Sequence, residues 1–241
     1  MAKTLKTALY QGFHGIGAPE PIVRRLQDAD IDFLCLPEYF MVGQGDESVL
    51  PSASLHDKYL GYLVDLSIKL NCILTGSSLV TFENGEYKNR CYFINRGMVV
   101  GHYDKIHLYK NEGKGQVVPG FEYKLFEAGG LRIGLLVCAD VLCPWSFKNM
   151  RGLKPDLLAV PVTSPYREGE SAEAKFKRDN ELFVEGARAV GCPIIKVGSV
   201  GKIAGHRLQG RSLAASAEGI IFRVAPEDEA QPVLKIIDLT L

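Results

Sequence analysis

Leu131-Arg-Ile-Gly-Leu-Leu-Val137, followed by Cys138-Ala-Asp-Val-Leu-Cys-Pro144, is the stretch on which the fold turns. Seven residues with a single charge read as a strand buried on both faces, the pattern of a parallel or mixed sheet. The apolar run stops at a cysteine, and Trp145–Leu153 beyond it reads as a short helix. Strand, cysteine, sharp turn and helix in succession form the setting of a nucleophile elbow. There the sulfur is raised on the turn, and backbone N–H groups of the following helix can bind an anion.

The same alternation extends in both directions. Thr7–Tyr10 reads as a strand, and Pro19 and Pro21 open a helix with Ile22, Val23 and Leu26 on one face. A buried strand, Ile31–Leu36, ends at Pro37-Glu38. Leu55, Tyr59, Leu63, Leu66 and Leu70 have helical spacing, and strand Cys72–Val80 follows. Asn84-Gly85 is a hairpin signal, and Asn95-Arg96-Gly97 joins strands Cys91–Ile94 and Met98–Tyr103. Tyr109 to Gly120 is irregular. Beyond the elbow come strand Leu157–Val162, one long helix over Ser171–Val190 and strand Pro193–Val200. A hairpin then pairs Ser212–Ala217 with Ile220–Val224, and Val233–Leu239 closes the chain. Helices alternating with strands, with hairpins interleaved, predict an α/β protein with two mixed sheets face to face and helices outside. No repeat, low-complexity tract or long linker breaks the chain, so residues 1–241 are expected to form a single domain.

Composition excludes several classes. Lys plus Arg and Asp plus Glu each number 28, without the basic excess that a nucleic-acid partner requires. Hydrophobic residues make up 46% and charged residues 23% of the 241, which argues against disorder. No apolar stretch approaches the ~20 residues of a spanning helix, so no membrane partner is expected. The first ten residues lack the apolar core of a signal peptide. Six dispersed cysteines, three of them in or beside apolar strands, indicate thiols in a reducing compartment. Both features predict a cytoplasmic location.

Three polar residues stand where strands end, the place where α/β sheets bind ligands: Glu38, Lys105 and Cys138. Leu36-Pro-Glu-Tyr-Phe40, Tyr103-Asp-Lys-Ile-His-Leu108 and Leu136-Val-Cys-Ala-Asp140 with Pro144 resemble the Glu, Lys and Cys motifs of the nitrilase, or carbon–nitrogen hydrolase, superfamily. Thr7–Gln11, Val118-Pro-Gly120 and Gly210-Arg-Ser-Leu213 with Gly219 extend the resemblance over the whole chain. Ala139, Leu142, Trp145 and the segment Val190-Gly-Cys192 depart from the common pattern and leave the subfamily open.

The resemblance implies a four-layer αββα sandwich, a homodimer or higher homo-oligomer, and a Glu–Lys–Cys triad acting without cofactor or metal. The expected activity is hydrolysis of a small linear amide or N-carbamoyl compound through a thioester on Cys138. Glu38 is the general base, and Lys105 with the Ala139 N–H stabilises the oxyanion. Glu112 is the candidate second carboxylate, with Glu122 behind it. Two carboxylates around one lysine are expected to keep it charged, while their repulsion lifts the pKa of one of them. Tyr39, Trp145, Thr163 and Ser164 are candidate pocket walls. Nitrile hydrolysis, acyl or ammonia transfer, and a silent scaffold are the competing readings. Cys143 lies beyond the strand end and is not the expected nucleophile. Cys138, Cys143, His102 and His107 lack metal-site spacing, and Gly12-Phe-His-Gly15-Ile-Gly17 lacks the third glycine of a dinucleotide fingerprint, since position 20 is Glu20. His107 is expected to support the loop carrying Lys105.

Overall fold

The computed structural model describes residues 3–110 and 112–241; Met1, Ala2 and Asn111, which fall in segments assigned above, lie outside it. The strands are β1 (Thr4–Gln11), β2 (Phe33–Cys35), β3 (Ile73–Glu83), β4 (Glu86–Asn95), β5 (Met98–Asp104), β6 (Leu125–Ala128), β7 (Leu131–Leu135), β8 (Leu157–Val162), β9 (Ile194–Gly198), β10 (Lys202–Ile203), β11 (His206–Arg207), β12 (Leu213–Ser216), β13 (Gly219–Arg223) and β14 (Val233–Thr240). The helices are α1 (Glu20–Asp28), α2 (His56–Leu70), α3 (Pro144–Leu153), α4 (Ala172–Asp179) and α5 (Glu185–Val190).

Two six-stranded mixed sheets result, ordered β14-β1-β2-β3-β4-β5 and β13-β12-β9-β8-β7-β6. Each has three parallel strands at its centre, β1-β2-β3 and β7-β8-β9, and antiparallel strands at its edges. The period of two in a strand sends alternate side chains to opposite faces. In β2, Phe33 and Cys35 enter the core between the sheets, with Leu9, Phe93, Ile133 and Ile195. Leu34, between them, packs outward with Val23, Leu26, Leu63 and Leu66 of α1 and α2. Phe147 and Met150 of α3 and Ala187 of α5 cover the other sheet. The layers are helix, sheet, sheet, helix, as the resemblance implied.

Three elements differ from the sequence reading. Leu125–Ala128 is a short edge strand, and Phe126 stacks on Phe93 at 5.1 Å and 8°, joining the two sheets. Lys202–Ile203 and His206–Arg207 form a small hairpin of their own. The helix expected over Ser171–Val190 starts where Ser171 Oγ caps Ala174 N, but a π-helical turn at Asn180–Val184 interrupts it between α4 and α5. Such turns re-aim the side chains around them and recur at functional sites.

One glycine fixes where β2 ends. Gly76 has φ +91, and a Cβ there would fall 1.9 Å from the Leu36 carbonyl oxygen. The backbone of β3 can therefore close on Leu36–Pro37, with Leu36 N donating to Thr75 O and Ser77 N to Pro37 O.

Candidate active site

Glu38 follows directly on that close approach, and the chain turns sharply after it, with Tyr39 at φ +52. Its carboxylate is 1% exposed and accepts four hydrogen bonds. Oε1 accepts from Lys105 Nζ at 2.9 Å and Asn89 Nδ2 at 2.9 Å. Oε2 accepts from the Thr163 backbone N–H at 2.9 Å and its hydroxyl at 2.5 Å.

Lys105 leaves β5 with its N–H on Asn89 O and its carbonyl on Gly120 N, so the Val118–Gly120 turn holds it. Its ammonium is shared between Glu38 and Glu112 Oε2, the latter at 2.7 Å. Burial opposes that charge, but Glu38 and Glu112 outweigh it and hold the ammonium well above the ordinary lysine range. Glu112 also accepts from Tyr39 Oη at 2.8 Å, Asn89 Nδ2 at 2.7 Å and Tyr109 N at 3.1 Å. Burial pushes its carboxyl up, yet Lys105 and these donors overcome that and lower it. The expected lift of a carboxylate by repulsion therefore does not occur at Glu112, because a cation and the Asn89 amide stand between the two acids.

Cys138 opens the 3-10 turn Cys138–Leu142 with φ +47, unusual for a non-glycine residue. Such backbone persists only where its surroundings enforce it. Asp140 supplies the enforcement. Its Oδ2 accepts from Val137 N and Tyr103 Oη, both at 2.8 Å, and its Oδ1 from His107 N at 2.7 Å. One fully buried carboxylate thus ties the cysteine turn to the segment carrying Lys105. The thiol donates to Thr163 O at 3.4 Å. Burial and then Glu38 push it up to about 12 against the pull of Lys105. The cysteine rests as a thiol beside a carboxylate and an ammonium.

A cavity of about 440 Å³ is lined by Glu38, Tyr39, Lys105, Glu112, Cys138 and Thr163, and reaches Val49 and Ile203 at its far side. A smaller cavity of about 90 Å³ shares Cys138 and Thr163 with it and includes Ala139 and Ser164. Glu38, Tyr39, Lys105, Glu112, Cys138, Ala139, Thr163 and Ser164 thus meet in two adjoining spaces, whereas Trp145 does not join them. Trp145 is 62% exposed, lies under Lys148 Nζ at 4.7 Å and lines neither cavity. It starts α3, whose inward positions are Phe147 and Met150, so its ring faces water. Glu122 also stays outside, 3.8 Å from Lys124. His107 Nε2 meets Tyr123 Oη at 3.0 Å and braces the loop as expected. Among the described residues, no cluster of three His, Cys, Asp or Glu side chains is placed to hold a metal ion.

Sequence reading missed Asn89, whose single amide nitrogen bridges Glu38 and Glu112. Its signal was present: asparagine is depleted in strands, and Asn89 sits in mid-strand between Lys88 and Arg90. It also missed that Thr163 binds the carboxylate of Glu38, which nothing in the local pattern encodes.

The chain matches the family model described as carbon-nitrogen hydrolase over residues 18–241. It is 22% identical to a nitrilase from Pyrococcus abyssi over 228 residues, 92% of this chain and 82% of that protein. It is 24% identical to the glutamine-dependent NAD(+) synthetase of Acinetobacter baylyi over 178 residues, 70% of this chain but 33% of that protein, so it spans about a third of that relative's length. Among solved structures, an amidase from Nesterenkonia sp. AN1, showing covalent addition of the acetamide moiety of fluoroacetamide at its active site cysteine, superposes with a TM-score of 0.80 at 22% identity, covering 98% of this chain and 90% of that one.

Proposed function

The chain belongs to the carbon–nitrogen hydrolase family, and from that premise we propose that it hydrolyses a small non-peptide amide through an acyl thioester on Cys138. The observation that carries this reading is that Glu38 and Cys138 meet on one residue. Thr163 donates to Glu38 Oε2 through N–H and O–H, and its carbonyl accepts from the thiol.

A thiol held near pKa 12 would cost on the order of 7 kcal/mol to ionise at pH 7. Proton transfer is therefore coupled to attack. Sγ forms its bond to the amide carbon as its proton passes to Glu38. The negative oxygen of the tetrahedral intermediate is stabilised by the Lys105 ammonium and the Ala139 N–H. Glu38 returns the proton to the departing nitrogen, the C–N bond breaks, and ammonia or an amine leaves. Water then attacks the thioester with Glu38 again taking a proton. Collapse of the second intermediate frees the acid and restores the thiol. Glu112 keeps Lys105 charged throughout.

The test is ammonia release from a panel of amides and nitriles, with intact mass measured during turnover. An acyl adduct on Cys138, lost together with all release in Cys138→Ala and retained in Cys143→Ala, is the expected result. Release surviving in Cys138→Ala overturns the assignment, and an inert protein across the panel favours a scaffold.

A further inference from the structure

The smaller cavity behind Cys138 has a wall whose charge does not balance. Arg167, Arg178, Lys196 and Arg211 line it, with Asp179 as the one carboxylate. Lys196 is 2% exposed, in the middle of β9, where its neighbours Ile195 and Val197 are fully buried. Among the described residues its Nζ has one hydrogen-bond acceptor, Asp179 Oδ1 at a long 3.3 Å, and it stands 5.2 Å from the Phe183 ring centroid. That carboxylate is already claimed, since Oδ2 accepts from Arg223 Nε at 3.0 Å. Arg211 is 4% exposed. Its Nη1 stands 3.7 Å from Asp179, beyond hydrogen-bond reach, and neither Nη1 nor Nε has an acceptor. Of the other carboxylates nearby, Glu170 is engaged with Arg178, and Glu229 gives Oε2 to Lys175 while its Oε1 stands 3.5 Å from Arg223 Nη2, so the cations still outnumber the acids.

A buried guanidinium with unpaired N–H groups is strongly destabilising unless something accepts from it. The chain nevertheless goes out of its way to put one there. Arg211 has φ +88 in a segment tied down by Gln11, whose Oε1 accepts from Arg211 N, Ser212 N and Ser212 Oγ. Asp179 is the last residue before the π-helical turn, which shifts the register of the helix at that point. Burial first, and Arg211 and Arg223 besides, press the Lys196 ammonium down to about 8 against Asp179. Burial and the neighbouring cations likewise press Arg178 and Arg211 down, and an anion in the cavity would relieve these groups and Lys196 together. The cavity wall also contains Cys138 and Ala139, so whatever it holds is attached to, or lies against, the group under attack at Sγ.

We propose that this cavity is a carboxylate-binding subsite, with Lys196 and Arg211 as its specificity-determining residues. The substrate is accordingly an amide that carries a carboxylate a short chain away from the scissile C–N bond. The carboxylate can stand on the acyl side, as in a dicarboxylic acid monoamide, or on the amine side, as in an N-carbamoyl amino acid; its recognition chemistry is the same. This inference rests on the amidase reading for the reaction, but the subsite itself can be tested without turnover.

The experiment compares kcat/KM for substrate pairs of matched shape. Succinamate is set against butyramide, glutaramate against valeramide, and N-carbamoyl-β-alanine against propylurea. The expected result is at least a hundredfold preference for the carboxylated member in one arm, which also identifies the side that bears the carboxylate. Lys196→Met and Arg211→Met should each cut that ratio at least tenfold, and Lys196→Arg should restore most of it. In parallel, succinate and glutarate are titrated calorimetrically into Cys138→Ala, with butyramide as the neutral control. Binding of a dicarboxylate that is lost in Cys138→Ala/Lys196→Met supports the subsite even if no amide is turned over, in which case only the hydrolase reading fails. Neutral members turned over as well as the carboxylated ones, or no dicarboxylate bound by Cys138→Ala, overturns the subsite while leaving the hydrolase reading intact. If a methionine variant does not fold, the pairwise preference of the unaltered protein and the titration still decide.

Discussion

Lys105 and Lys196 are equally buried, each 2% exposed, and they sit on opposite sides of Cys138 in the two adjoining cavities. Burial alone would push both ammonium groups down. Lys105 goes up instead, because Glu38 and Glu112 face it at 2.9 and 2.7 Å. Lys196 goes down to about 8, because burial prevails where its one carboxylate is shared with Arg211 and Arg223. The difference lies in the company, not the depth. One site has surplus negative charge and holds its cation ready for a developing oxyanion. The other has surplus positive charge, the setting in which an anionic group is bound.

The strongest way to break this contrast is to remove each lysine in turn. Lys105→Met takes from two buried carboxylates the cation that both are paired with. It should lower kcat by about 10³ or more, as loss of an oxyanion donor does, and destabilise the protein by roughly 3–5 kcal/mol, as stranded buried charges do. Lys196→Met removes a cation from a cluster that has too many, and Asp179 keeps Arg223 at 3.0 Å. Its thermal midpoint should fall far less. Equal losses in the two variants, read by calorimetric melting, would show that the charge imbalance has no energetic weight.

A smaller perturbation makes one lysine resemble the other. Glu112→Gln leaves Lys105 with a single carboxylate, as at Lys196. The kcat should drop by about 10²-fold, and the high-pH limb of the rate profile should move to lower pH as the ammonium loses support. An unchanged limb would mean that Glu38 alone sets the charge of Lys105. Thr163 lies between the two cavities and offers a finer test. Thr163→Val deletes the hydroxyl on Glu38 Oε2 but keeps the N–H donor and the carbonyl that meets the thiol. A loss of about tenfold in kcat with little change in KM is expected for one hydrogen bond to a charged group. Thr163→Ser should recover it. A change confined to KM would move Thr163 from positioning the base to holding substrate.

How far these sites could be read beforehand follows the same division. Glu38 and Cys138 each end an apolar run and Lys105 follows the end of a strand, so the strand pattern exposes them. The layers of the fold follow from the alternation of strand and helix. Trp145 misled because an aromatic residue near a cysteine suggests a pocket wall, whereas the face of α3 that Phe147 and Met150 occupy turns it to water. β6 was lost because Leu125–Ala128 is four residues long and its Phe126 contact with Phe93 is made across sheets. Lys196 was the legible signal left unread. It is the one charge in the apolar run Pro193–Val200, and a lysine is almost never fully buried in a strand without a reason. Its partners could not have been inferred, because Asp179, Arg211 and Arg223 come from a helix, a loop and an edge strand that only the tertiary fold assembles.

The subtlest prediction concerns stability against pH. An unfolded lysine titrates near 10.4. Lys196 titrates near 8 in the folded protein, facing Asp179 of α4, Arg211 and Arg223 of β13. Between those values the unfolded chain binds the proton and the native chain does not, so stability rises with pH through the window. At 1.36 kcal/mol per unit the gain from this one group is up to about 3 kcal/mol. Lys105 has the opposite sign. Its folded value lies above the unfolded one, so its contribution is fully present below about pH 10.4 and is lost only as pH rises toward the folded value. Denaturant unfolding at pH 7.5 to 10, taken as the difference between the unaltered protein and each methionine variant, separates the two. The difference against Lys196→Met should climb with pH, and the difference against Lys105→Met should stay flat. A flat line for both would mean that the cations around Asp179 do not press on Lys196. Saturating succinate offers a further check. By placing a carboxylate beside the charged lysine, it should raise stability most at pH 7.5 and flatten the climb, because a bound carboxylate favours the protonated form that burial penalises.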